Sequence, residues 1–283
     1  FSLGTQITGT GDTNATNGTY VAWCWNAGAN SNKTYTVKVV SDSGNKYRFD
    51  DHGTSAVTLD LAEGSTYIFD QSDSSNAGHP IRFGTSANGT DYTTGVTHTG
   101  TPGSAGAKTT LVLGTGVATL YYSCANHSGM GGQINTNSTA GASNFDGSIQ
   151  ATVKANASAG FSIVTYTGSS SGSTVGHGLN AAPEFIIGKR RDGTSEWSCY
   201  HKSLGNDKAI ILNTTAAAGS SSTWNSTTPS SSVVTLGSAH SVNFSSYTHV
   251  LYCFAPVAGY SAFGSYEGNG SSDGPFVYTG FRP

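Results

Sequence analysis

Short apolar or alternating runs recur along the chain, and polar stretches rich in glycine, serine, threonine and asparagine separate them. Alternation between apolar and polar residues is clearest in TVKVV at 36–40 and VTLDL at 57–61. Such alternation places successive side chains on opposite faces of a β-strand. No stretch of useful length repeats its apolar positions with a helical period. The pattern therefore predicts an all-β protein.

Residues 33–155 are predicted to form one β-sandwich, because strand-like runs follow one another there with turn signals such as DSGN and AEGS between them. These runs are TYTVKVV, NKYRFD, AVTLDL, STYIFD, HPIRF, KTTLVL and ATLYYSC. The run SIQATVKA, at 148–155, closes this domain or joins it to the next. The glycine-rich stretch between HPIRF and KTTLVL is predicted to be a surface loop.

Residues 156–283 are predicted to form a second domain, a β-sandwich or a jelly-roll-like fold. Its strand candidates are FSIVTYTG, PEFIIGKR, SEWSCYHK, KAIILN, SVVTLG, THVLYCFA, SAFGSYEG and PFVYTGF. Residues 1–32, with the candidates FSLGTQI and TYVAWCWNAG, repeat part of this domain. The order hydroxyl-Leu-Gly, polar loop, aromatic-Cys-aromatic and Ala-Gly occurs in residues 2–28 and again in residues 235–259. A repeat this long indicates serial domains, so residues 1–32 are predicted to be the terminal strands of a preceding β-repeat.

The composition argues against several classes of function. Charged residues make up only 10% of the chain and the net charge is −3, so no basic surface is predicted to bind nucleic acid or a membrane. No hydrolase elbow, catalytic carboxylate pair or phosphate-binding glycine loop stands out. The chain is therefore predicted not to be an enzyme. Its cysteines show no zinc-like spacing, and those outside residues 121–132 are predicted to be small buried apolar residues, Cys199 included.

The most informative stretch is YYSCANHSGMGG at 121–132. It places Cys124, His127 and Met130, the only methionine, on one tight turn after a predicted strand. A thiolate, an imidazole and a weak axial thioether are ligands of a type 1 copper site, which also needs a second histidine. His79, in NAGHPIRF, lies upstream at a suitable distance. The stretch therefore predicts a copper site of His79, Cys124, His127 and Met130. The alternative is that these residues merely end a strand in a domain kept for its shape.

With these two segments, the middle domain resembles the cupredoxins, and the C-x2-H-x2-M spacing is similar to the short ligand loop of the amicyanin type. The resemblance implies a cupredoxin-like Greek-key β-sandwich with Met130 as the axial ligand. Related loops often carry prolines beside the second histidine, whereas this chain has Ser128 and Gly129. That departure predicts a looser ligand loop.

The second domain and its partial copy resemble repeats in large virion proteins of marine bacteriophages. The segments that carry the resemblance are GFSIVTYTG, GHGLNAAPEFIIGKRR, YHKSLGNDKAIILN, VLYCFAPVAGYSAFGSYEGNG and DGPFVYTGFRP. The resemblance implies an extracellular or virion-surface location. It implies a structural or adhesive part of a fibre, with other copies, adjacent fibre proteins and a host receptor or glycan as partners. This structural role is the leading hypothesis, and an electron-transferring or copper-sequestering module is the alternative. The remaining histidines, His177 and His249 among them, are interpreted as turn, surface or core residues.

Overall fold

The computed structural model describes residues 19, 22–30, 32–136, 139–170 and 172–282, and within these ranges the chain is all-β. This confirms the predicted fold class. Short 3-10 turns lie between strands of the described chain, at Ser74–Asn76, Ala157–Ala159 and Lys202–Leu204. In the part of the chain that is described, no helix is long and apolar enough to cross a membrane.

Two sheets built from residues 33–135 face each other as a β-sandwich. The five-stranded sheet has the order β2-β1-β4-β7-β6 and the four-stranded sheet the order β3-β9-β8-β5. The strands are β1 (Lys33–Ser41), β2 (Asn45–Phe49), β3 (Leu59–Asp60), β4 (Thr66–Asp70), β5 (Ile81–Gly84), β6 (Val96–Thr99), β7 (Lys108–Val112), β8 (Leu120–Cys124) and β9 (Gly132–Asn135). The β1–β4 and β3–β9 pairs are parallel, and the other pairs are antiparallel.

Apolar and polar residues alternate along these strands, and the apolar side chains form the core between the two sheets. In β1 the side chains of Tyr35 and Val37 are buried, whereas Thr34 and Thr36 are exposed. Aromatic rings from both sheets meet in this core, as where Phe49 and Tyr122 lie edge to face with centroids 5.1 Å apart. Cys124 and Met130 belong to the same buried cluster.

The rest of the described chain forms an eight-stranded sheet, in the order β10-β11-β12-β19-β14-β15-β16-β17, and a two-stranded β13-β18 sheet. The strands are β10 (Ala142–Asn144), β11 (Ala151–Asn156), β12 (Phe161–Thr167), β13 (Ser173–Gly176), β14 (Phe185–Arg190), β15 (Ser198–His201), β16 (Lys208–Ile211), β17 (Gly219–Ser220), β18 (Val233–Leu236) and β19 (Thr248–Phe254). One face of the large sheet packs on β13 and β18 around Trp224, which is fully buried. Phe161 and Phe254 lie on the opposite face, where the ring of Trp25 packs against both.

Several contacts join the sandwich to the eight-stranded sheet. The hydroxyl of Tyr35 donates to the carbonyl of Ser143 (2.9 Å), and the side-chain amide of Gln150 donates to the carbonyl of Thr58 (2.7 Å). Strand β11, which contains most of the run SIQATVKA, pairs with β12 in the large sheet. The predicted domain boundary at 155/156 stays a prediction.

Some predicted elements differ in the structure. The run TYVAWCWNAG forms no strand over residues 22–28, and Cys24 is exposed rather than buried. A strand needs neighbours to pair with, and no described strand pairs with residues 22–28. The same reason applies to SAFGSYEG and PFVYTGF, which form no strands and leave Phe276 90% exposed. The candidate FSLGTQI lies outside the described residues.

Other strands were not predicted. β6 lies inside the predicted surface loop, where its β-branched residues pair with the free edge of β7. β9, β10 and β13 are short and rich in glycine, serine or asparagine. Their strand conformation depends on the neighbours that they pair with, so composition gave no signal for them.

Candidate metal centre

Cys124 is the last residue of β8 and points into the sandwich core, where it is only 2% exposed. It lies opposite Ile81 of β5 in the antiparallel register. The pairing continues for one more residue, because the backbone N–H of Ala125 donates to the carbonyl of Pro80 (2.9 Å). This register brings the end of β8 beside the start of β5, which His79 precedes by two residues.

His79 is held by hydrogen bonds to its backbone on both sides. Its N–H donates to the carbonyl of Asn76 (2.8 Å) and closes the turn that leads into β5. Its carbonyl accepts hydrogen bonds from the Tyr47 hydroxyl (2.9 Å) and the Gln71 side-chain amide (2.8 Å). Residues of the five-stranded sheet, or next to it, therefore hold the main chain at His79 in place.

The side chains of His79, Cys124 and His127 converge. The Cys124 Sγ lies 3.8 Å from Nδ1 of His79 and 3.6 Å from Nδ1 of His127. The two imidazole rings are 4.7 Å apart between centroids, and the three ligand atoms lie within 4.8 Å of one another. Among the described residues, His79, Cys124 and His127 are the one group of at least three histidine, cysteine, aspartate or glutamate side chains close enough together to hold a metal ion.

Met130, the fourth predicted ligand, lies on the same loop as His127 and is 1% exposed. It packs in the same buried cluster as Cys124. Its carbonyl accepts a hydrogen bond from the backbone N–H of Tyr47 (3.0 Å). The cluster is thus buried on the cysteine and methionine side and open to solvent at His127, which is exposed.

The electrostatic surroundings of His79 favour the protonation state that binds metals. Nearby, the backbone N–H of Asn126 donates to the Cys124 Sγ (3.4 Å) and holds the sulfur in place. Burial lowers the pKa of His79 below its usual value, and the neighbouring His127 lowers it further. A neutral imidazole and a thiolate are the forms that coordinate a metal ion.

Hydrogen bonds from distant segments of the chain hold the predicted ligand loop in place. The Lys46 ammonium donates to the carbonyl of Gly129, and the N–H of Gly129 donates to the side-chain oxygen of Asn88 (3.4 Å). The Asn126 side-chain amide donates to the carbonyl of Gly78 (2.9 Å). The looser loop expected from Ser128 and Gly129 stays a prediction. The residues that contact this loop come from distant segments of the chain, so its local sequence does not reveal them.

His177 and His249 lie far along the chain from this cluster and are fully buried around the eight-stranded sheet. Nδ1 of His177 accepts from the N–H of Leu179 (3.2 Å), and its Nε2 faces the carbonyl of Ser230 (3.2 Å). Both ring nitrogens of His249 face backbone carbonyls. These contacts to the main chain identify both residues as parts of the core.

The fold and the site together define an all-β protein with a Cys–His–His cluster at one end of a β-sandwich. The profile of a family described as a domain of unknown function, DUF7483, matches residues 133–283. This is just over half of the chain, and the chain belongs to this family. No curated protein and no solved structure matches the chain. The matched region includes the whole eight-stranded sheet, whereas the four predicted ligands precede it.

Proposed function

We propose that the chain binds a single copper ion through His79, Cys124, His127 and Met130, and uses it to exchange single electrons or to sequester the ion. The observation that carries this proposal is the convergence of one sulfur and two imidazole nitrogens within 4.8 Å of one another. These atoms come from two separate segments of the chain, which the register of β5 and β8 brings together.

The donor set fits copper. Soft thiolate and thioether ligands favour Cu(I), and a trigonal arrangement of two histidines and a cysteine with a weak methionine is typical of type 1 copper. Bound copper would supply one-electron chemistry. The protein would contribute a buried cysteine and methionine, with His127 as the ligand nearest to solvent.

The test is metal analysis of the purified chain, together with its visible spectrum after addition of Cu(II). We expect one copper per chain and an intense thiolate-to-copper absorption band. Cys124→Ser should remove the band, whereas Cys199→Ser should leave it, because Cys199 is a buried cysteine of the eight-stranded sheet. A wild-type chain that takes up no copper, or that retains zinc and refuses copper, would overturn the proposal.

We propose as a second function that the chain is a structural or adhesive segment of an extracellular fibre or virion, which contacts other copies or adjacent fibre proteins. The observation in its favour is a set of exposed aromatic side chains between residues 266 and 278. Tyr266, Phe276 and Tyr278 are 71%, 90% and 81% exposed. Contiguous exposed apolar patches mark surfaces that bind other proteins, and Phe276, Val277 and Tyr278 are consecutive exposed apolar residues. The two functions are compatible, since a bound metal can also stabilise a fibre domain.

Sedimentation analysis and electron microscopy of the intact chain test this second function. We expect concentration-dependent assembly that the double variant Phe276→Ser/Tyr278→Ser weakens. Lys208→Ser, which changes another exposed position, is the control. A wild-type chain that remains monomeric at every concentration would contradict assembly through this segment. Glycan-array binding would test for a host receptor.

A further inference from the structure

The positions of Lys46 and Tyr47, two consecutive residues of β2, suggest a role at the metal centre. β2 is an edge strand of the five-stranded sheet, whereas Cys124 belongs to the facing sheet. The Lys46 ammonium donates to the carbonyl of Gly129. Tyr47 donates twice, from its N–H to the carbonyl of Met130 and from its hydroxyl to the carbonyl of His79.

We propose that Lys46 and Tyr47, together named the β2 clamp, are positioning residues that set the placement of Met130 and His79 around the metal. This inference rests on the proposed copper site. Tyr47 contacts the main chain of two predicted ligands that lie far apart in sequence, His79 before β5 and Met130 after β8. A shift of β2 would therefore move both ligands relative to Cys124.

The environment of each residue supports this role. The ring of Tyr47 is fully buried in the sandwich core, so its hydroxyl is held where it meets His79. Lys46 is half-buried on the other side of the strand. Its ammonium contacts Gly129, the residue just before Met130, and brings a positive charge to the predicted ligand loop. A nearby positive charge favours the reduced form of copper, which carries one charge less.

The first test measures the Cu(I) affinity of the full chain by competition with a chromophoric chelator. Tyr47→Phe removes only the hydroxyl. We expect about 10- to 100-fold weaker binding, the loss typical of residues that orient metal ligands. Tyr67→Phe is the matched control, because Tyr67 is also a fully buried tyrosine of the same sheet whose hydroxyl donates to a backbone carbonyl, that of Ala62 (2.8 Å). This control should leave the affinity unchanged.

The second test measures the reduction potential of the copper-loaded chain. Lys46→Met should lower the potential, and Lys46→Arg, which keeps the charge and the donor, should restore it. Lys38→Met is the control, since Lys38 lies on β1 and pairs with Asp51 instead of the ligand loop. A purely structural role of Lys46 would not give this charge-dependent difference. This measurement decides the Lys46 half of the clamp even if Tyr47→Phe fails to fold.

The outcomes separate the clamp from the copper proposal. If the wild-type chain binds copper but Tyr47→Phe binds as tightly as Tyr67→Phe, the Tyr47 half of the clamp is wrong. If Lys46→Met and Lys46→Arg have the potential of the wild type, the Lys46 half is wrong. A wild-type chain that binds no copper overturns the copper proposal itself and the clamp with it.

Discussion

Gly131, between the last predicted ligand and β9, offers a sharp test of how β8 and the ligand loop pack. A Cβ atom at this position would lie 1.8 Å from the carbonyl oxygen of Tyr122 and 2.6 Å from its carbonyl carbon. Real Cβ atoms essentially never approach other atoms closer than 3.0 Å. Gly131→Ala therefore has to move the ligand loop away from β8 by more than about 1 Å, in a core that transmits strain.

We expect Gly131→Ala to destabilise the sandwich by about 3 kcal/mol or more, at or above the usual cost of overpacking. The backbone of β8 is the obstacle, and a backbone cannot turn aside as a flexible side chain can. Gly116→Ala is the matched control. Gly116 has a φ of +72°, and a Cβ added there would meet nothing within 4 Å, so alanine costs only the left-handed strain of roughly 1–2 kcal/mol.

Hydrogen exchange monitored by mass spectrometry is the assay, because it reports on each sheet separately. In Gly131→Ala the amides of β8 and β9 should exchange much faster than in the wild type, whereas those of β12 and β19 should keep their protection. In Gly116→Ala the β8 and β9 amides should change far less. Equal protection of β8 and β9 in the two variants would refute this packing of the ligand loop on β8.

Two further predictions concern the eight-stranded sheet. Burial is the main cause of the lowered pKa values of His177 and His249, so the unfolded chain binds protons more readily below the ordinary histidine pKa of about 6.5. The free energy of unfolding should therefore be highest above this pH and should fall as the pH drops below it. The melting temperature, measured across this range, should fall in the same way, and His177→Gln should make it depend less on pH. A pH-independent melting temperature across this range would contradict the reasoning. Trp224→Ala should cost about 3–5 kcal/mol in urea unfolding because it empties a fully buried site, and a cost below about 1 kcal/mol would show that Trp224 is not a core anchor.

Much of the fold could be read from local pattern. The run TYTVKVV alternates so clearly that its two faces are evident before any partner is known, and it became a strand with Tyr35 and Val37 buried. The run FSIVTYTG, rich in β-branched and aromatic residues, also became a strand. Short or polar strands such as β6 and β13 carry no such pattern. They form because a neighbouring strand offers an unpaired edge. Conversely, the apolar run PFVYTGF looks like a strand but has no neighbour to pair with in the described structure.

The all-β class and the spacing of Cys124, His127 and Met130 on one turn could be predicted before any folding, because both follow from residues close together in the chain. The position of His79 beside this turn could not, since it depends on the register between β5 and β8 in the folded sandwich. The contacts of the β2 clamp with the ligands also emerge only on folding. They cross from one sheet to the other, and no local pattern encodes which distant residues meet when two sheets pack.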